Sequence, residues 1–241
     1  WPSRPRRGES FGSGTRRIFS RADLEAVGRS LGWPTDHLLQ GHADWSPDGV
    51  HVVMFLGRYI DFFVQVPVET QLFVLDVDTG ALRQLTSRRA PQSGDGISSD
   101  CSYSADGTQV VFVGCPDSQV AGCPTSSILS VPASATRATS AATLYALKSP
   151  NDVYASPDGT RLAWMEPFNW EIKVAPYRLA PPLDAGEVRL VEPMGGFGSW
   201  TRDDRFVFGR GSALFINDLD GGASRQLSPQ GSPEVFILPS P

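Results

Sequence analysis

One heptapeptide recurs along the chain and limits what it can fold into. Ala43-Asp-Trp-Ser-Pro-Asp-Gly49, followed by His51-Val-Val-Met-Phe55, returns as Cys101-Ser-Tyr-Ser-Ala-Asp-Gly107 before Gln109-Val-Val-Phe-Val113, and again as Val153-Tyr-Ala-Ser-Pro-Asp-Gly159 before Arg161-Leu-Ala-Trp164. A decayed copy, Gly198-Ser-Trp-Thr-Arg-Asp-Asp204, precedes Phe206-Val-Phe208. Each copy reads as a short strand, a tight turn at Asp-Gly and a second strand of β-branched and aromatic residues, which is a hairpin signal. Composition agrees: 24 Gly and 20 Pro in 241 residues interrupt the chain too often for a helical bundle.

A second hairpin follows the first. Its clearest copies are Leu72-Phe-Val-Leu-Asp-Val-Asp-Thr-Gly-Ala-Leu-Arg-Gln-Leu-Thr86 and Leu214-Phe-Ile-Asn-Asp-Leu-Asp-Gly-Gly-Ala-Ser-Arg-Gln-Leu-Ser228. Glycine supplies the positive φ that such turns require. Two hairpins make a four-stranded antiparallel sheet, and four such units at spacings of roughly 46 to 58 residues are the pattern of propeller blades. The ends extend it. Ile18 to Leu31 aligns with the second hairpin, and Pro233-Glu-Val-Phe-Ile-Leu238 reads as an opening strand, so the expectation is an all-β propeller of five blades. The last of these is a composite closed by strands from both termini. The competing reading of Asp23 to Ser30 is a short amphipathic helix capped by Ser20. Residues 1–17 form a basic arm with no strand pattern, expected to be flexible, and residues 18–241 a single propeller domain.

The Ser-Pro-Asp-Gly and Asp-x-Asp-Gly-Gly-x-x-Arg-Gln-Leu hairpins together resemble the TolB-like, WD-repeat-like β-propeller family, from about Ile18 to Leu238. The resemblance implies the fold and says little about function, because blades of this kind serve envelope proteins, peptidase side-domains and binding modules alike. The second blade's outer hairpin, Ser127 to Leu144, departs from the pattern in lacking the Asp-Gly turn. The third departs through an expanded turn, Leu179 to Gly186, containing Pro181-Pro182.

Candidate chemical residues are sparse. Asp48, Asp106 and Asp158 each belong to a hairpin turn, where the carboxylate accepts backbone N–H bonds, so they are read as structural. Asp76-Val-Asp-Thr-Gly80 and Asp218-Leu-Asp-Gly-Gly222 lack the downstream Glu of a calcium loop. His37, His42 and His51 have no zinc-type spacing, and Gly196-Phe-Gly-Ser-Trp200 lacks the spacing of a serine elbow. Neither a catalytic site nor any cofactor or metal is therefore expected. Trp45, Tyr103 and Trp200 occupy equivalent positions and are expected to pack between adjacent sheets. Cys115 and Cys123 flank a turn-rich loop and are predicted to form a disulfide, which implies an oxidising, extracytoplasmic compartment such as the periplasm; Cys101 is read as a buried free thiol.

The loops joining the two hairpins of each blade differ most among blades and form the expected docking face: Tyr59, Phe62 and Phe63 in the first, the Cys115 to Cys123 loop in the second, Phe168 and Trp170 in the third. Arg4, Arg6, Arg7, Arg16 and Arg17 suit carboxylates on another subunit or anionic lipid headgroups. A net charge of -5 excludes a globally basic nucleic-acid binder. The longest apolar runs, Val50 to Leu56 and Phe62 to Val68, are too short to span a bilayer, and no stretch has the layout of a secretion signal. Trp at position 1 is read as the mark of a processed product whose targeting segment is gone. The resulting expectation is a non-catalytic accessory or structural subunit docked on a larger envelope or membrane-bound complex. The alternatives are a small-ligand or glycan-binding propeller using the central channel mouth near His42, and the side-domain of a hydrolase.

Overall fold

The computed structural model describes residues 17–36, 38–59, 67–86, 101–114, 126–137, 139, 141–146, 150–166, 170–179, 184–196, 198–219 and 222–229. They form a β-propeller of four blades, each a four-stranded antiparallel sheet whose strands pair in chain order. Blade 1 contains β1 (Leu38–Trp45), β2 (His51–Tyr59), β3 (Pro67–Asp76) and β4 (Leu82–Gln84), and blade 2 contains β5 (Cys101–Tyr103), β6 (Gln109–Gly114), β7 (Ser127–Pro132) and β8 (Ala142–Ala146). Blade 3 contains β9 (Asn151–Ala155), β10 (Arg161–Glu166), β11 (Glu171–Pro176) and β12 (Arg189–Glu192), and blade 4 contains β13 (Gly198–Trp200), β14 (Phe206–Arg210), β15 (Ala213–Asn217) and β16 (Arg225–Gln226). The four recurring heptapeptides thus mark the turns between first and second strands. The Ser127 to Leu144 segment forms its hairpin without an Asp-Gly turn, because β7 and β8 still pair across Leu129 and Thr143.

Strand periodicity explains the packing. In β2, Val53 and Phe55 pack toward blade 2, with Tyr103, Phe112 and Leu129, while Val52, Met54 and Leu56 pack to the opposite side. In β6, Val110 and Phe112 serve the first seam, and Val111 and Val113 join Val153, Leu162 and Trp164 of blade 3 in the second. A third seam joins Ala163, Ile172 and Val174 to Phe206, Phe208 and Phe215 of blade 4. Central strands buried on both faces read as continuous apolar runs, not as an apolar-polar alternation.

One element corrects the sequence expectation. Ile18 to Leu31 is not a hairpin of a composite blade: Arg21–Ser30 is a helix, α1. Ser20 caps it, its hydroxyl accepting from the Asp23 N–H while the Asp23 carboxylate accepts from the Ser20 N–H at 2.8 Å. A Schellman motif ends it, with Trp33 N–H donating to the Gly28 carbonyl at 2.8 Å and Gly32 at φ +71. Helix-favouring ends therefore override an alignment that rested on strand-like composition. Leu24, Trp33 and Leu38 bury Met54, Leu56 and Phe73, so α1 covers the side of blade 1 away from blade 2. The other closing element, Pro233 to Leu238, lies outside the described residues. No helix among the described residues is long and apolar enough to cross a membrane.

Trp45 supplies a second correction. Tyr103 is 6% exposed and Trp200 packs in the third seam, as expected, but Trp45 is 46% exposed. The equivalent aromatics pack back onto the preceding blade, and none precedes blade 1 among the described residues.

Close approach in the third seam yields a stability prediction. A Cβ at Gly198 would lie 2.5 Å from Cε1 of Phe206 and 2.8 Å from the Val207 carbonyl oxygen, whereas one at Gly222 would meet nothing within 4 Å. Phe206 is wedged between Trp200 and Phe208 and has no room to turn away. Gly198→Ala should therefore cost about 1–3 kcal/mol in chemical denaturation, with Gly222→Ala near neutral. Equal midpoints for the two variants would contradict this packing.

Candidate functional site

The turns at the ends of the first hairpins settle the role of the repeated aspartates. Ser46, Ser104 and Ser156 are buried, and each donates its hydroxyl to the following aspartate, Asp48, Asp106 or Asp158, at 2.6 Å; Thr201 does the same to Asp203. The same serine oxygens accept backbone N–H bonds from His51, Gln109 and Arg161 across the turn. The hydroxyl bond, followed by an N–H from Val50 or Thr108, holds Asp48 and Asp106 below the ordinary carboxylate range. Gly49, Gly107 and Gly159 adopt φ near +70, and Asp204 takes the glycine position of the fourth turn at φ +59. The carboxylate of Asp204 also accepts from the Asp158 N–H at 2.9 Å, tying two turns together. Asp76 is committed likewise, accepting from the N–H groups of Asp78 and Thr79. No group of three or more His, Cys, Asp or Glu among the described residues could hold a metal ion.

Polar residues converge instead on the first strand of each blade, because β1, β5, β9 and β13 lie side by side in succession. Asp44 on β1 accepts from the Tyr103 N–H on β5 at 2.8 Å, and Ser102 on β5 accepts from the Ala155 N–H after Tyr154 on β9 at 3.2 Å. The His42 ring meets the edge of Tyr154, centroids 6.2 Å apart at 87°, and Tyr154 in turn packs on Phe206. Asp152 is buried at φ +48, and the buried Cys101 is in no disulfide, as expected, its thiol donating to the His42 carbonyl at 3.9 Å. Imidazole, phenol and carboxylate thus share the inner lining, where Asp44 and Ser102 accept backbone N–H groups of the next blade.

The opposite face carries the apolar feature. Trp170, in the turn between β10 and β11, is 51% exposed at φ +56, and its carbonyl accepts from the Gly195 N–H at 2.7 Å. That bond brings the β12–β13 connection alongside, where Met194 is 69% exposed. Beneath, Lys173 bridges Glu166 at 2.8 Å and Glu171 at 3.1 Å, while Glu192, buried, holds Arg210 at 3.0 Å over the Phe215 ring. Of the expected docking residues, Trp170 is on this surface, Tyr59 ends β2 opposite Pro67, and Arg17 is exposed at the start of the described chain. Arg4, Arg6, Arg7, Arg16, Phe62, Phe63, Phe168, Cys115 and Cys123 lie outside the described residues. Met194 and the Asp44 clamp went unnoticed in the sequence; the Met-Gly-Gly string between two strands was the available signal for the first, and nothing marked the second.

The solved structures that resemble this fold include TolB from Acinetobacter baumannii, matched over 81% of this chain and 45% of that one at 18% identity and a TM-score of 0.53. A protein described as a TolB from Agrobacterium tumefaciens matches over 79% of this chain and 62% of that one, at 14% identity and a TM-score of 0.52. A gluconolactonase from Xanthomonas campestris matches over 81% and 77%, at 16% identity and a TM-score of 0.52. The chain thus spans under two thirds of either TolB protein. No protein-family model matches the sequence, and no curated protein does. At these identities the likeness establishes the β-propeller fold, in keeping with the TolB-like repeats of the sequence, and leaves function to the site.

The inner lining has a pH signature. Burial pushes the Asp44 carboxyl above the ordinary 3.8, only partly offset by the Tyr103 N–H, His42 and Ser102. A carboxyl raised by folding keeps a proton that the unfolded chain has released, so its contribution to stability falls as pH rises from the ordinary value through the folded one. Asp44→Asn should remove that component while leaving the opposite contributions of Asp48 and Asp106 in place. The Tm of the wild type relative to the variant is expected to be more favourable near about pH 4 than near about pH 8; a constant difference would place Asp44 in water.

Proposed function

We propose that the protein is a non-catalytic, extracytoplasmic propeller that acts as an accessory subunit, docked onto a larger envelope or membrane-bound assembly by the face opposite the Ser-Asp turns. The observation that carries this reading is the exposed pair Trp170 and Met194. A tryptophan held in the left-handed region, with its carbonyl tied to Gly195, presents its indole to solvent at the cost of backbone strain. Rigid exposed aromatics of this kind are typical interface anchors, and thioethers adapt to irregular partner surfaces. The arginines of the N-terminal arm are read as a second contact, toward carboxylates of a partner or anionic headgroups.

The enzyme alternative draws on the gluconolactonase likeness, which bears on fold alone. The ligand-binding alternative has one specific support, the meeting of His42 on β1 and Tyr154 on β9, the inner strands of blades 1 and 3. Saturable perturbation of Tyr154 by a sugar or small metabolite, abolished in Tyr154→Ala, would favour it.

Two experiments test the leading reading. Trp170→Ser with Met194→Ser should release a partner that co-purifies from the native source in low salt, whereas folding stability should stay within about 0.5 kcal/mol because both side chains are exposed. Retained partner, or turnover of a lactone, ester or glycoside panel, would overturn it. Thiol titration of the denatured, unreduced protein should count one free thiol, Cys101; three would remove the support for an oxidising compartment.

A further inference from the structure

The chain has three methionines, and the fold treats one of them differently from the others. Met54 on β2 belongs to the cluster with Leu24, Trp33 and Phe73 under α1 and is 1% exposed, while Met165 on β10, opposite Ile172, is 4% exposed. Met194 is 69% exposed. Its exposure is built into the arch that carries it. The Gly195 N–H donates to the Trp170 carbonyl at 2.7 Å and the Gly196 N–H to the Gly209 carbonyl at 2.6 Å, so the backbone just after Met194 is tied to blade 3 and to blade 4. A Cβ at Gly195 would lie 2.1 Å from Cδ1 of Ile172 and 3.3 Å from Cδ2 of Phe208, so the third seam already fills the floor beneath the arch. Pro193 restricts the backbone on the other side. With the floor occupied and the backbone pinned, the Met194 side chain stays in solvent on the surface it shares with Trp170.

Exposure decides thioether chemistry, because a dissolved oxidant has to reach the sulfur. We propose that Met194 is a reversible methionine-oxidation site that switches this face from apolar to polar, with a peroxide as the oxidant. The sulfur lone pair attacks one peroxide oxygen, and the S–O bond forms as the O–O bond breaks. The proton on the transferred oxygen passes to the departing hydroxide, which leaves as water; sulfur is oxidised by an electron pair and the peroxide is reduced by it. The sulfoxide is polar and accepts hydrogen bonds, so its burial against an apolar partner is costly. At Met54 or Met165 the same oxygen would enter packed core, whereas at Met194 it projects into water and leaves the seams intact. As regulation of docking, the switch rests on the reading of Trp170 and Met194 as interface anchors.

The test treats the full, folded chain with hydrogen peroxide and then removes the oxidant. Peptide mass spectrometry should find one added oxygen on Met194 at least about tenfold faster than on Met54 or Met165, which should match its rate only after denaturation. The oxidised protein should leave a phenyl column earlier than the untreated one and keep its far-UV circular dichroism. Methionine sulfoxide reductases for both epimers should return it to the starting position. Met194→Leu should show no peroxide-dependent change from its own starting position. Oxidation of Met54 or Met165 as fast as Met194 in the folded chain overturns the proposal, as does an unchanged column position or an equal shift in Met194→Leu. Docking has its own arm: the oxidised protein should fail to take back the partner that co-purifies from the native source until it is reduced again. Uptake by the oxidised form but not by Trp170→Ser with Met194→Ser overturns the switch and leaves the docking reading intact. Uptake by both overturns the docking reading, and the switch with it.

Discussion

Everything in this protein depends on sheets that are buried on both faces. A single blade exposes too much apolar surface to stand alone, since alternate residues of its central strands serve two different cores. Val53 and Phe55 require blade 2, and Met54 and Leu56, between and beyond them, require whatever lies on the other side. Each seam is therefore a folding requirement, and the array is stable only as a series with covered ends. Helix α1 is the solution at one end. It presents Leu24 in place of a neighbouring sheet and uses Gly28 to approach Leu38 closely.

Polar groups set the blades in register over that apolar packing. Arg83 of blade 1 donates to the carbonyls of Ala133 and Ala135 in blade 2, Asp44 holds the Tyr103 N–H, and Glu192 of blade 3 pairs with Arg210 of blade 4. These contacts orient one sheet against the next where hydrophobic surfaces alone would slide. Of the three, only the Asp44 contact joins inner strands, β1 to β5; the other two act farther out in the blades.

The repeats were legible because each turn needs a particular chemistry. A buried serine, an aspartate that caps the turn and a residue tolerant of positive φ recur at fixed spacing, and a reader can count them. Tyr103, Trp200 and Cys101 followed from that count. Trp45 did not, because its burial depends on a preceding blade and not on its own position. The N-terminal segment misled for a different reason: its apolar spacing can be aligned with a hairpin, but Ser20, Asp23 and Gly32 terminate a helix, and end effects of this kind prevailed over composition. Met194 lay in an unremarkable string until the Gly195 N–H brought it beside Trp170.

The amino-acid order by itself determined the class of fold, the number of complete blades and the structural duty of the turn aspartates, since each rests on local backbone conformation and on side chains within a few residues. Only the tertiary structure decided which aromatics are covered, which carboxylate is raised by burial and which residues share an exposed surface. Those properties depend on neighbours supplied by other blades, and distance in space between blades is not encoded in any short stretch of chain.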